Sequence, residues 1–451
     1  MVSGPASARQ PNFITPSGPP GCIECAENGL TFLSVKPSQI RFMSTEPISF
    51  GLIGAGGIGR AHIAALHALH SAGGVRFTAV ADPFFTDAAA RQELEALGVR
   101  WYGDYKEMLR QEKGLEAVTI ATPIPLHFSM ASACIEHGLF VLLEKPPAPL
   151  IGQLDKLIGL DREVRVAINF QNVHLPALQR IRRSIVDGKL GKLTEIRIVA
   201  GWPRGDSYYA RAKWAGRLTL DGEPVFDGPA TNALAHQIHN AMYLAALAEP
   251  GGGPFAEPIE IQGELYRARR IESYDVASLR GWFGSGVTFT ATLAHAVREN
   301  LPFKVEARGT AGWARLSGDG RVFESSIPEE KIEPETPFPD LVLEVYKQFL
   351  DSIRGGQTAL LTRLRDARGY VLATNGMWLS SGGIHDIDSQ WLRPHQTDGG
   401  AVIEVLGLSD RLNEGFAAGK LLSELDTPWA RSTQPVSASN LGNISFAEHS
   451  K

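Results

Sequence analysis

The chain has 451 residues, 43% hydrophobic and 21% charged, with a formal net charge of -5. It can bury the cores of two or three domains and lacks the basic field on which nucleic-acid binding draws. No apolar run reaches the roughly 20 residues that span a bilayer and the N-terminus shows no secretion pattern, so a cytoplasmic protein without membrane or nucleic-acid partners is expected. Three cysteines suit a reducing compartment better than a disulfide framework.

Residues 1–45 have neither helical nor strand periodicity, and Met43 opens a stretch in which a first strand begins a few residues on. This leader is expected to be disordered or an over-called start. Its Cys22-x-x-Cys25 pair has no second pair to complete a four-ligand zinc site, and no metal site is expected in the chain. From 46 to 168, apolar runs (ISFGLIGAG, VRFTAVAD, EAVTIATP, LFVLLEKP, EVRVAINF) alternate with helical patterns at 61–72, 86–97 and 125–136. Strands that read as continuous Val, Ile, Leu and Ala are buried on both faces, which predicts a doubly wound parallel sheet of Rossmann type.

The rhythm changes after 169. A helix over 176–186 closed by Gly188, the strand LTEIRIVAGW and a striped helix over 230–247 precede several short strands between 259 and 326. Helical patterns return at 341–354, 363–379 and 410–424, and these helices either complete the same domain or pack back on the first. Residues 169–430 are therefore expected to form a second α/β domain with a large, mostly antiparallel sheet that binds substrate and mediates assembly, and 431–451 a flexible tail.

Gly54, Gly56 and Gly59 form G-x-G-x-x-G, with Gly57 and Ile58 between them, directly after one strand and at the mouth of a helix. The first glycine permits the tight turn, the second lets backbone approach a pyrophosphate, and the third lets helix and strand pack closely. Asp82 ends the next strand, where an acid binds the ribose hydroxyls. It repels a 2′-phosphate, and Pro83, Phe84 and Phe85 after it offer no cation to bind one, so NAD is expected rather than NADP.

The fourth strand of this series ends in 144-EKPPA-148. Ligands sit at the carboxyl ends of strands in open parallel sheets, so Glu144 and Lys145 are expected at the crevice. At this point the chain resembles the Gfo/Idh/MocA family, relatives of glucose-fructose oxidoreductase and inositol dehydrogenase. The resemblance rests on the glycine motif, AVADP, Thr122 and Pro123 of ATP with His127 after them, EKP at 144–146 and 227-DGPATNALAHQIHN-240. It implies oxidation of a secondary hydroxyl on a sugar or cyclitol, with Thr122, Pro123, His127, Glu144 and Lys145 beside the cofactor. It also implies Lys145 and His236 as catalytic residues, and a dimer or tetramer associating through the second-domain sheet. The family's acid usually lies four residues before the histidine; this chain has Asn232 there.

Removing a hydride from a carbinol carbon requires loss of the hydroxyl proton, for which a histidine titrating near neutrality is suited, while Lys145 can stabilise an alkoxide. Positions 232, 236 and 239 share one helical face, so Asn232, His236 and His239 could reach one site. Asn232 can bind a substrate hydroxyl or orient His236 but cannot supply a charge. His236-x-x-His239 lacks the third ligand that zinc needs. The Tyr102, Lys106 pair matches Y-x-x-x-K but stands too early in the chain to be the short-chain dehydrogenase pair.

The stretch 202-WPRGDSYYARAKWAGR-217 is the expected specificity loop, with Tyr208, Arg211 and Trp214 as substrate contacts. The leading expectation is an NAD-dependent dehydrogenase of a sugar, sugar acid or cyclitol. A redox-neutral glycosidase or lyase using transient sugar oxidation, and a non-catalytic NAD-binding regulator, use the same residues and are not separated from it by sequence.

Overall fold

The computed structural model describes residues 46–327, 340–355, 362–442 and 444–446. The expected leader, with Cys22 and Cys25, lies outside the described residues. The first domain is built on β1 (Ile48–Ile53), β2 (Val75–Ala81), β3 (Arg100–Tyr102), β4 (Ala117–Ile120), β5 (Phe140–Leu143) and β6 (Val166–Ile168). They form one parallel sheet in the order β3-β2-β1-β4-β5-β6. Both faces are buried, as the apolar strands predict: along β5, Val141 and Leu143 enter one core cluster and Leu142 the other. The crossovers are α1 (Gly59–Ser71), α2 (Ala88–Ala96), α3 (Tyr105–Gln111), α4 (His127–Glu136) and α5 (Ile151–Leu160).

The second domain begins with α6 (Pro176–Val186) and β7 (Leu193–Gly201), followed by the short α7 (Asp206–Ala210) and the two-residue strands β8 (Thr219–Leu220) and β9 (Glu223–Pro224). Next come α8 (Ala235–Ala245), β10 (Glu260–Arg267), β11 (Val276–Trp282), β12 (Thr288–Ala294), β13 (Leu301–Gly309), β14 (Trp313–Ser317) and β15 (Val322–Ser325). The chain continues through α9 (Leu341–Ile353), α10 (Arg368–Ser381), β16 (His385–Asp386), β17 (Leu392–Thr397), β18 (Gly400–Val405), α11 (Leu408–Ala418) and β19 (Val436–Ser437). The large sheet runs β15-β14-β13-β7-β12-β11-β10-β16, with β19 also paired to β10. Only the β7–β12 and β10–β16 pairs are parallel. The helices α6, α8 and α10 lie against it, and α11 packs on β7 and β12.

Of the two placements open to the C-terminal helices, α9 takes the one on the first domain: it packs on α1, and its apolar face (Val342, Leu343, Tyr346, Phe349) completes the cluster around Phe50 of β1. The expected tail is held down over its described part: β19 pairs with β10, Leu441 and Phe446 are buried, and the Phe446 ring lies 4.5 Å from that of Phe226. Among the described residues no helix is long and apolar enough to cross a membrane.

Candidate active site

The glycine motif leaves β1 at the point where the sheet order reverses, between β2 and β4. Gly54 adopts φ +90°, and a Cβ there would fall 2.5 Å from the carbonyl oxygen of Ala121, just beyond β4. At Gly59 a Cβ would fall 2.3 Å from the Gly54 oxygen, so the start of α1 can lie against the turn only without a side chain. Gly56 and Gly57 instead face open space.

Helix α1 has no side-chain N-cap, and the N–H groups of Gly56, Gly57 and Ile58 make no hydrogen bond among the described residues. Uncapped amides at the start of a 13-residue helix, beside an open glycine surface, fit a pyrophosphate. Asp82 holds this loop from the end of β2: its carboxylate accepts the Ala55 N–H at 2.8 Å and the Phe84 N–H at 2.8 Å. Thr122 and Pro123 follow β4 on the other side of the crevice, where the Thr122 hydroxyl donates to the sulfur of Met130 at 3.4 Å.

His127, at the start of α4, is buried, with Nδ1 2.7 Å from the Pro146 oxygen and Nε2 2.8 Å from the Thr122 oxygen. It ties the loop after β4 to the loop after β5. Burial pushes its pKa down despite the two carbonyls.

Glu144 is also buried. It accepts from His62 Nε2 at 3.1 Å, Asn169 Nδ2 at 2.6 Å and the Lys145 N–H at 3.0 Å. Burial opposes its charge, yet the His62 and Asn169 hydrogen bonds and the Lys145 ammonium hold it down to about 2. His62 Nδ1 in turn meets the Tyr346 hydroxyl at 3.0 Å, and that hydroxyl meets Thr119 at 2.7 Å. Glu144 is thus the end of a buried network reaching α1, β4 and α9.

Lys145 departs from Glu144 and points to the second domain. Its Nζ donates to the backbone oxygen of Asn232 at 3.0 Å and to Asn232 Oδ1 at 3.2 Å. Two of three ammonium hydrogens are thereby used and one remains for a substrate oxygen. Asn232 lies in a π-helical turn, Pro229–Ala233, closed by the Leu234 N–H donating to the Pro229 oxygen at 2.8 Å, rather than in the regular helix expected over 230–247. The regular helix α8 begins only at Ala235.

His236, in the first turn of α8, is half-buried. Its Nδ1 lacks a hydrogen-bond partner among the described residues, and burial, then Lys145, push its pKa down to about 3 against the attraction of Glu144. His239 is fully buried, stacked on Phe170 with ring centroids 3.9 Å apart and packed against Phe255. The same Phe170 meets His236 edge-on at 5.7 Å. The two histidines therefore share one aromatic neighbour, but His239 belongs to the core packing.

In the aromatic and basic loop, the Arg211 guanidinium lies 3.6 Å from the Tyr208 ring centre and 4.8 Å from that of Trp214. Arg204 covers the Tyr208 ring from 4.6 Å. These cations face His295 at the end of β12, a buried ring whose pKa is pushed down by burial and then by the two arginines. Arg211 Nη2 and His295 Nε2 have no hydrogen-bond partner among the described residues. The loop thus brings Tyr208, Arg211 and Trp214 into one stack. Tyr102, by contrast, sits on the edge strand β3 with its hydroxyl donated to Glu112 at 2.6 Å.

Several participants were missed in the sequence. Arg60 stands one residue beyond the glycine motif, yet it lies over Phe85 and donates to Asp87 at 2.8 Å, near the Asp82 end of the crevice. The rule that strand ends line the crevice, already applied to 144 and 145, would have found Asn169 after β6. Asp227 stands within the quoted DGPATN segment, and its buried carboxylate accepts from Asn232 Nδ2 at 2.9 Å. His62 and Tyr346 meet across 284 positions, which no local pattern reveals.

Residues 48–170 match the model of an oxidoreductase family with an NAD-binding Rossmann fold, GFO_IDH_MocA. An inositol 2-dehydrogenase of Rubrobacter xylanophilus is 29% identical over 163 residues, which span 36% of this chain and 45% of the relative. An uncharacterised oxidoreductase of Escherichia coli, YgjR, is 28% identical over 279 residues, 59% of this chain and 74% of that protein. Among solved structures, the WlbA dehydrogenase of Chromobacterium violaceum in complex with NADH and UDP-GlcNAcA has the same fold, with a TM-score of 0.63 and 22% identity over 81% of this chain and 99% of that one. Residues 48–170 thus form an NAD-binding Rossmann domain of the GFO_IDH_MocA oxidoreductase family, and the chain as a whole shares the two-domain fold of the solved dehydrogenase.

Proposed function

We propose that this protein is an NAD-dependent dehydrogenase that oxidises a secondary hydroxyl of a sugar, sugar acid or cyclitol. The observation that carries the reading is Lys145: it leaves the end of a Rossmann strand, crosses to the π turn of the second domain and retains one ammonium hydrogen beside His236. NAD bound on the glycine loop would supply the hydride acceptor. Everything else is done by the chain. Lys145 binds the substrate oxygen and stabilises the charge that grows on it as the proton leaves. His236 is neutral near pH 7 and its Nδ1, without a partner among the described residues, can accept a hydrogen bond from the substrate hydroxyl. Its pKa of about 3 lies below the near-neutral value expected of a general base, so it holds the proton only weakly and the stabilisation by Lys145 carries more of the step. Asn232 fixes Lys145, and Glu144 with His127 fixes the loops from which Lys145 springs.

The loop around Tyr208, Arg211 and Trp214 offers aromatic faces and a guanidinium with a hydrogen-bonding group unused, chemistry suited to a sugar ring bearing an acidic substituent. The relative named inositol 2-dehydrogenase supports this substrate class, and the WlbA dehydrogenase of the same fold was solved with a UDP-sugar acid, UDP-GlcNAcA. The test is to identify any nucleotide that co-purifies and then follow NADH absorbance across sugars, sugar acids and inositols. Net NADH formation is expected. Glycoside cleavage without NADH accumulation, or no turnover of any polyol, overturns the proposal.

A further inference from the structure

Asn232 is clamped between two groups of opposite hydrogen-bonding character. On one side stands the Lys145 ammonium, which can only donate; it gives N–H to Asn232 Oδ1 at 3.2 Å. On the other stands the Asp227 carboxylate, which accepts the Asn232 Nδ2–H at 2.9 Å. Turning the amide over would set N–H against ammonium and oxygen against carboxylate, so its orientation is fixed by charge. Asp227 is itself held. It is 1% exposed, its second oxygen accepts the Gly216 N–H at 2.6 Å, and its own N–H donates to the Arg217 oxygen.

The backbone is bent to put this carboxylate there. Phe226, immediately before it, adopts φ +55°, a conformation costly for a residue with a side chain. Its buried ring is packed among Tyr274, Trp378 and Phe446. Gly228, immediately after, lies so close to the Tyr274 ring that a Cβ would fall 2.4 Å from it. Strain in such a tightly packed segment marks a position that the surrounding fold over-determines.

We infer that Asp227 is a positioning residue for Lys145, acting through the Asn232 amide that it orients and polarises. A negative charge one amide away holds the ammonium in the site without forming an ion pair that would compete with a substrate oxygen. The other ionisable groups around Lys145 are Glu144 on its own strand, His127 at the start of α4 and His236 on α8. Tyr209 and Tyr274 also feel Asp227.

What Lys145 does chemically rests on the proposed dehydrogenase reading, so the test is made on the resting protein without turnover. Only the neutral amine reacts with acetic anhydride, so the acetylation rate of Lys145, read by mass spectrometry of its peptide at fixed pH, reports how strongly its surroundings hold the charge. Removing an opposite charge one amide away, in Asp227→Asn, is expected to raise that rate roughly tenfold. The swap of Asp227→Asn with Asn232→Asp, which brings the carboxylate against the ammonium and leaves an amide behind it, is expected to return the rate to the parent value or below. An unchanged rate in folded Asp227→Asn, or a swap reacting as fast as that single variant, overturns the inference. Should the single variant not fold, the swap decides alone: a rate above the parent's overturns it. Accelerated acetylation in a protein that turns over no polyol removes the proposed reaction and leaves the positioning role; turnover with unchanged acetylation does the reverse.

Discussion

Among the described residues, Lys145 is the cation that reaches from the end of the Rossmann strands to the π turn, and the proposed reaction gives it a task its neighbours cannot share. Lys145→Ala is therefore expected to lower kcat/KM by about 100-fold or more, the scale of losing an electrostatic donor to a developing oxyanion. NAD affinity should stay within about threefold, since the glycine loop and Asp82 stand on other strands; a large loss of affinity with kcat preserved would refute the assignment. Asp82 and Arg60 define a second choice made by single residues. On the proposed reading Asp82 would repel a 2′-phosphate, and the nearby Arg60 is already engaged by Asp87. Asp82→Asn combined with Asp87→Ala removes the repulsion and releases the guanidinium, and should raise the NADP over NAD preference about tenfold or more. Unaltered discrimination in steady-state kinetics would show that the choice is made elsewhere.

At the scale of elements, the turn between β1 and α1 is fixed by two close approaches, Gly54 to Ala121 and Gly59 to Gly54. Gly54→Ala must either push the end of β4 away or abandon φ +90°. A loss of about 1–3 kcal/mol in urea unfolding is expected, together with weakened NAD binding; an undiminished midpoint with unchanged binding would mean that the turn has another conformation open to it. This turn was legible in the sequence because its glycines are spaced by a local requirement, β1, β2, β4 and β5 because strands buried on both faces are mostly apolar, and β7 because it alternates polar and apolar residues over its first half. Short elements were not. Strand β3 has three residues and α3 seven, too few to establish a period, and in the β17–β18 hairpin β17 is largely exposed while β18 is half-buried without a strict alternation. The π turn was invisible for a different reason: ATNALAH reads as ordinary helix, and the extra residue is imposed by Tyr274 crowding Gly228 and by the Asp227 and Lys145 bonds to Asn232. Lys145 and His236 were candidates on the sequence alone, whereas the partners that the structure places around them depend on contacts between distant segments.

Over the whole molecule, the C-terminal third ties the two domains to themselves and to each other. Helix α9 closes the first domain, while α11 and the segment after it cover the second sheet: Thr292 donates to Leu412, Arg280 pairs with Glu424, and Ser423 donates to the buried Glu264. Association through the sheet, which the family resemblance implies, would therefore have to use strands β13 to β15, whose outer side carries Arg308, Arg315 and Glu324. The buried titratable groups of both domains make stability depend on pH. His127, His239 and His295 are held below 6.5 by burial, so each binds a proton only after unfolding, and stability is lost as pH falls below about 6.5. Glu264, raised to about 7, and Asp275, raised to about 6, act oppositely: buried, they keep a proton in the fold that the unfolded chain releases, and they restore stability as pH falls through those values. Three against two leaves a net loss on acidification, and His174 and His236, also lowered, add to the larger side. The thermal midpoint should therefore be lower at pH 5.5 than at pH 7.5; a midpoint that rises on acidification would show that the two buried carboxyls outweigh the imidazoles.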